Sequence, residues 1–280
     1  YEIYQCDWSS DVCSSDLKQL KERNINFSVL SYKDCNDLSL SVLIKNSTFV
    51  INAAGYTGKP NVDSCEIHKT ETIEGNVLFV QKLMDICSSY NIPIGHVSSG
   101  CIYTGDGPFT EEDEPNFTFK QNNCSFYSGT KAMAENILKK YDKSYIWRLR
   151  IPFDNINSSR NYISKLINYD VLLDVNNSIS NRQEFVNACI ESVIKKIPYG
   201  IYNMTNTDYV STKQLTELLC KTIVKDKKFT FFKDLDEFYK ITKGTPRSNC
   251  VLKNDKILSC GIKFKSAIES VNDCLSNWKY

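Results

Sequence analysis

Three apolar runs, each ending in small or polar residues, recur along the chain: STFVINAAG at 47–55, NIPIGHVSS at 91–99 and SYIWRLRIP at 144–152. A strand that is apolar on both faces is buried on both, which is the condition of strands in a parallel sheet covered by helices. The stretches between them, 63–90 and 126–141, read as helices, and a shorter one fits 38–46. Such strand–helix alternation predicts an α/β fold built on a doubly wound, Rossmann-like parallel sheet. Ligands of these sheets bind beyond the carboxyl ends of the strands. NAAG (52–55), SSGC (98–101) and RIP (150–152) therefore mark where a site is expected.

Upstream the pattern is broken. NINFSVL (24–30) reads as a strand, and LKQLKERN (17–24) as the tail of an amphipathic helix. Residues 1–17 differ in kind, with no Lys or Arg, four acids and the Ser/Asp/Cys-rich stretch DWSSDVCSSD. They resemble translated sequencing-adapter sequence fused to a gene and are taken as a non-native tail. Without their four acids, 29 acidic side chains stand against 34 basic ones, about +5. No glycine precedes Gly55, so no G-x-G-x-x-G or G-x-x-G-x-x-G opens the chain. The expectation is an N-terminally truncated nucleotide-binding unit over residues 18–155, lacking its first strand and glycine-rich turn. Residues 156–280 are expected to form mainly a smaller C-terminal substrate lobe, with some elements returning to the sheet. Helices are expected at 160–169, 183–196, 211–224 and 266–278, and strands at 198–206 and 228–232; 238–244 is left unassigned.

A chain of 280 residues suits one large α/β domain with a smaller lobe. A net charge of +1 argues for no nucleic-acid or membrane partner. No apolar run reaches 18 residues, and no basic segment followed by an apolar one reads as a signal peptide. The 12 cysteines form no C-x-x-C pair, and the two histidines, His68 and His96, join no cysteine cluster. No metal site is expected, and the cysteines read as reduced thiols of a cytoplasmic protein.

Tyr127 and Lys131 lie four residues apart, on one face of the 126–141 helix. A neighbouring ammonium would favour the phenolate and lower the Tyr127 pKa. Ser99, at a strand end, could hold a carbonyl oxygen. This grouping suits carbonyl–alcohol chemistry better than hydrolysis or phosphoryl transfer. Plainer readings stand beside it: Cys101 as a small buried residue, Lys165 as a solvated helix lysine, Arg247 as the partner of a surface acid, and the EEDE run (111–114) as a solvated loop.

NAAG (52–55), SSGCIY (98–103) and YSGTK (127–131), in this order and each at the end of an element, resemble the extended short-chain dehydrogenase/reductase family. FYSGTKAMAE (126–135), RNYISKL (160–166), YGIYNMTN (199–206) and PRSN (246–249) are most similar to reductases of nucleotide-linked 4-keto-6-deoxy sugars. Those include the dTDP-4-dehydrorhamnose reductases and the enzymes that both epimerise and reduce UDP-4-keto-6-deoxyglucose. The resemblance implies NADPH or NADH as cofactor and a nucleotide-sugar substrate, with a homodimer left open. It implies that Tyr127 protonates the ketone oxygen, that Lys131 lowers the Tyr127 pKa and binds the nicotinamide ribose, and that Ser99 holds the carbonyl. Asn52, Ala53, Ala54 and Gly55 would flank the adenine-ribose side, Asn76 would support the site, and Ile151 and Pro152 would lie near the nicotinamide. Cys101 and Lys165 would be the acid/base pair of a 3,5-epimerase. Arg160, Asn161 and Arg247 would contact the substrate. Lys33, after the second strand, favours NADP. A nucleotide-sugar 4-epimerase or 4,6-dehydratase and a non-catalytic nucleotide-binding regulatory subunit are the alternatives. Gly100, where a dehydratase has an acid, speaks against dehydration.

Overall fold

The computed structural model describes residues 2–5, 11–31, 36–59, 61–241 and 244–280, with side chains from residue 17 onward. In chain order run β1 (Glu2–Gln5), α1 (Asp11–Glu22), β2 (Phe27–Leu30), α2 (Asp37–Lys45), β3 (Phe49–Asn52), α3 (Lys69–Ile73), α4 (Phe79–Ser89), β4 (Ile94–Ser99), α5 (Phe126–Leu138) and β5 (Ser144–Leu149). There follow α6 (Tyr162–Asn168), α7 (Arg182–Ile194), β6 (Gly200–Asn203), α8 (Thr212–Lys221), α9 (Leu235–Ile241), α10 (Asp255–Ser259) and α11 (Ala267–Ser276). The strands form one parallel sheet in the order β6-β5-β4-β3-β1-β2. The order reverses between β1 and β3, which makes that crevice the topological switch point of a doubly wound sheet.

Alternation along the strands separates two cores. Val50, Ile94 and Ile146 face Leu40, Val80, Leu83 and Leu138 of α2, α4 and α5. Phe49, Ile51, Tyr145 and Trp147 face the other way, onto Leu20 of α1, Phe185 and Ile190 of α7, and Ile257 of α10. Gly95 interrupts β4 because the Trp147 indole crosses it: a Cβ there would stand 2.1 Å from the ring. A third core, with Ile163, Leu166, Leu215, Leu219, Val271 and Leu275, joins α6, α8 and α11 beside the sheet.

The missing first strand is a correction. Glu2–Gln5 pairs in parallel with β2 on one side and β3 on the other. The physical reason is the open ladder: without a strand there, the facing backbone groups of β2 and β3 would be unpaired, and Glu-Ile-Tyr-Gln is short, extended-prone chain that satisfies them. The single helix expected over 63–90 is also revised. It opens as a 3-10 turn (Val62–Glu66), continues as α3, widens into a π turn at Glu74–Leu78, and resumes as α4. The EEDE run is not wholly solvated either. Glu111 is buried, where its carboxylate accepts the Asn203 N–H (2.7 Å) and burial raises its pKa. α10 and most of α9 fall in stretches with no expected helix. Lys33 lies outside the described residues.

Beneath the site, Arg148 of β5 is fully buried and forks onto Glu135 of α5 (Nη2–Oε2 2.8 Å, Nε–Oε1 3.1 Å), while Ser98 Oγ donates to the same carboxylate at 2.6 Å. Glu135→Ala would leave a buried guanidinium without its counter-charge. It is expected to cost about 3–5 kcal/mol of stability, read as a lowered midpoint in urea unfolding; an unchanged midpoint would show that the pair does not anchor α5.

Candidate functional site

A cavity of about 370 Å³ opens at the carboxyl ends of β3, β4 and β5. Ala53, Ala54, Gly55, Asn76, Ser99, Cys101, Tyr127, Lys131, Ile151, Pro152, Arg160, Lys165 and Arg247 all line it. Asn52 and Asn161, also expected there, do not. The Asn52 side chain turns into the sheet toward His96. Asn161 caps α6 through the Ile163 N–H (3.0 Å), and its amide donates to Asp154 and to the Ile156 carbonyl, so both its functions are spent on local backbone and a buried carboxylate.

Ser125 sets the reactive helix. Its hydroxyl caps α5 by accepting the Ser128 N–H (3.2 Å), and Glu66 takes the Phe126 N–H (2.7 Å). Tyr127 thus falls in the first helical turn, where it lines the cavity together with Ser99 of β4. Burial pushes the phenol pKa up, Cys101 and Cys65 add to this, and Ser99 and Arg160 oppose it. The expected lowering by Lys131 is therefore a correction. Lys131 Nζ donates instead to the Val97 carbonyl (2.9 Å) and lies 3.3 Å from His96 Nε2. Burial pulls its pKa down to about 8. In a dry site desolvation penalises phenolate and ammonium alike, so Tyr127 stays a protonated donor.

Cys101 follows the strand in a 3-10 turn, its N–H on Ser99 Oγ at 3.3 Å. Burial raises the thiol pKa, opposed by hydrogen bonds with Ser99 and Ser128 and by the charges of Arg150 and Lys131. Across the cavity, burial together with Arg160 and Arg247 lowers the Lys165 pKa. Arg160 donates to Thr57 Oγ1 and the Gly58 carbonyl, both at 2.8 Å. Arg247 grips Asp63 through both guanidinium nitrogens (2.6 and 2.7 Å). Two arginines of the C-terminal half thus span the cavity mouth to the loop after β3.

Asn76 sits in the π turn, a helix irregularity frequent at functional sites. Its Oδ1 accepts the Tyr56 N–H (2.7 Å), and its Nδ2 donates to the Tyr56 carbonyl (2.9 Å) and Thr130 (3.2 Å), which pins the loop after β3 to α5. A Cβ on Gly55 would come within 3.1 Å of that Oδ1. Ile151 carries φ +37°. For a β-branched residue that conformation costs about 1–3 kcal/mol, and it falls at the cavity lip. These features fit the nicotinamide end of a dinucleotide: a flat wall of small residues, a hydroxyl, a phenol and an amine. The diphosphate end fits less well, because the connection from β1 to α1, Cys6–Ser10, contains no glycine and no basic residue.

Ser128, Arg150, Asp63 and His96 were not singled out for the site. Each takes its place through a tertiary contact, and only Ser128, inside the YSGTK motif, had a local signal.

A phenol, an amine and a serine at the strand ends of a doubly wound sheet define the short-chain dehydrogenase/reductase class. Within it, a family model described as the RmlD substrate binding domain matches residues 12–277, and the chain belongs to that family. A trifunctional UDP-glucose 4,6-dehydratase/UDP-4-keto-6-deoxy-D-glucose 3,5-epimerase/UDP-4-keto-L-rhamnose-reductase of Arabidopsis thaliana is 36% identical over 234 residues, covering 80% of this chain and 34% of the relative. The chain thus spans about a third of that protein's length. A bifunctional dTDP-4-dehydrorhamnose 3,5-epimerase/dTDP-4-dehydrorhamnose reductase of the same plant is 38% identical over 218 residues, covering 74% of this chain and 69% of the relative. The crystal structure of the UDP-rhamnose synthase of Acanthamoeba polyphaga mimivirus superposes with a TM-score of 0.87 at 20% identity, over 99% of both chains. That of a Bacillus anthracis dTDP-4-dehydrorhamnose reductase in complex with NADP gives 0.77 at 14% identity, over 99% of this chain and 96% of the other. The last two likenesses bear on the fold.

Proposed function

We propose that this chain is an NAD(P)H-dependent reductase of a nucleotide-linked 4-keto-6-deoxy sugar that also epimerises the two carbons flanking the ketone. The observation that carries the reading is that one cavity is lined both by Ser99, Cys101, Tyr127 and Lys131 and by Arg160, Lys165 and Arg247. The plant relatives, named for both activities, support it.

Bound NAD(P)H supplies the hydride. The protein supplies the rest. Ser99 holds the ketone oxygen, and Tyr127, kept protonated by burial, gives it a proton as the charge develops. The cationic wall suits a diphosphate: an arginine fork accommodates phosphate oxygens, and Arg247 would exchange Asp63 for them. Protons beside a ketone are acidic because the enolate is delocalised. Lys165, whose amine is favoured by burial and then by its two arginine neighbours, takes such a proton. Cys101, held as a thiol, returns one to the opposite face.

The test incubates the full chain with reduced cofactor and the UDP- or dTDP-linked 4-keto-6-deoxyglucose in heavy water. Loss of reduced cofactor and solvent deuterium beside the ketone are expected together. A folded protein that oxidises no cofactor with either nucleotide sugar, at saturating cofactor, sinks the reading. Cys101→Ser is expected to slow deuterium uptake by about 10²-fold or more while an already epimerised substrate is reduced at nearly the original rate. Unchanged uptake would remove Cys101 from the mechanism.

A further inference from the structure

Behind the cavity three buried polar side chains form a line that the site chemistry does not yet use. Asn52, His96 and Lys131 are 0%, 0% and 4% exposed. Asn52 ends β3, and His96 is its register partner on β4, so the two lie side by side on one face of the sheet. The Ala54 N–H donates to Asn52 Oδ1 at 3.0 Å, which fixes the amide orientation. Asn52 then presents its Nδ2, a donor, to His96 Nδ1 at 3.1 Å. A donor there requires the Nδ1 lone pair, so the neutral imidazole carries its hydrogen on Nε2. Nε2 stands 3.3 Å from Lys131 Nζ.

An ammonium has three hydrogens and no lone pair. Facing His96 Nε2–H, it would set donor against donor. A neutral amine removes the conflict: its lone pair accepts Nε2–H while one of its hydrogens serves the Val97 carbonyl at 2.9 Å. We propose that Asn52 and His96 are positioning residues that disfavour the ammonium of Lys131 relative to its neutral amine, through a one-way chain of donors from the Ala54 N–H to Lys131 Nζ.

Burial acts in the same direction, bringing the Lys131 pKa down to about 8 and holding His96 uncharged well below its usual value. The other groups around Lys131 are accounted for. Cys101 on the turn after β4 and Glu135 on α5 favour the ammonium, and Glu135 is already paired with Arg148 of β5. Tyr127, one turn back, stays a phenol. Glu66 spends its carboxylate on the Phe126 N–H. Asn76 of the π turn is neutral and faces Thr130. The consequence for turnover rests on the reductase reading: the ammonium form is lost as pH rises through the Lys131 pKa, so kcat/KM acquires an alkaline limb near 8. The proton positions themselves do not depend on that reading.

The experiment is nitrogen NMR on the full chain labelled in histidine and lysine. With two histidines in the sequence, the rings are told apart by His68→Gln. His96 is expected to show the Nε2–H tautomer, without titrating, from about pH 6 to 9. Asn52→Asp places a second acceptor at Nδ1: the carboxylate takes both the Ala54 N–H and a His96 Nδ1–H, the tautomer inverts, and Nε2 accepts from the Lys131 ammonium. The Lys131 midpoint should then rise by at least about one pH unit. An Nδ1–H tautomer in the unsubstituted chain overturns the proposal, as does an Asn52→Asp protein whose tautomer and Lys131 midpoint are unchanged. The first of these readings stands even where the variant fails to fold. Loss of turnover with intact proton positions would instead count against the reductase reading.

Discussion

Tyr127→Phe is expected to lower kcat for ketone reduction by about 10²–10⁴-fold, with KM for the sugar nucleotide changed little. The phenol is the one acid at the cavity that burial, Cys101 and Cys65 together keep protonated across the neutral range. Its proton matters only as hydride arrives and oxygen becomes basic, so its removal withdraws stabilisation from the transition state and not from the bound ketone. Phenylalanine keeps the ring, and α5 keeps its cap at Ser125, so folding should be unaffected. The pH dependence is part of the expectation. Because the Tyr127 pKa is raised, the acid is fully present through neutral pH and is not what limits the alkaline side; Lys131, at about 8, is. A variant within tenfold of the parent at saturating cofactor would assign the proton to another group, such as the Cys101 thiol that lines the same cavity.

What the sequence made readable follows from how the fold places chemistry. Apolar runs that end in NAAG, SSGC and RIP had to be strands of one parallel sheet, and their ends had to meet. Motif residues therefore fell around one cavity with few exceptions. The exceptions have a common cause. Asn52 and Asn161 sit inside motif-like strings, yet a string cannot say which way an amide turns; His96 claims one and Asp154 the other. Arg247 finds Asp63 from 184 residues away, and no local pattern encodes such a pair. The Tyr127–Lys131 spacing gives proximity, while burial decides which protonation state is cheaper and outweighs the charge effect expected of Lys131. His96 gives no local signal for the same reason: the role proposed for it lies in hydrogen-bond direction, which appears only once Ala54, Asn52 and Lys131 have atomic positions. The strand at Glu2–Gln5 shows the converse. Its sequence carries little information, and the open ladder of β2 and β3 determines what it does.

The chain as it stands is expected to hold NADPH and NADH weakly, well short of micromolar affinity. In a doubly wound sheet the dinucleotide diphosphate lies at the first strand–helix turn, where glycines let backbone N–H groups and the helix end approach the phosphates. Here that connection reads Cys-Asp-Trp-Ser-Ser before α1 opens at Asp11, with no glycine anywhere before Gly55. Two or three charge-assisted hydrogen bonds at about 1.5–3 kcal/mol each are at stake, or roughly 10²–10⁶-fold in affinity. The nicotinamide end cannot compensate, since Tyr127, Ser99 and Lys131 offer orientation and little charge. Calorimetric titration of the full chain with each cofactor measures this directly. Placing glycines in the G-x-x-G-x-x-G spacing immediately after β1, as Cys6→Gly, Ser9→Gly and Val12→Gly together, should tighten binding by about 10²-fold or more if the backbone approach is what is missing. Micromolar binding by the unsubstituted chain would refute the expectation outright. Weak binding in both proteins would move the cause from the turn to the cavity.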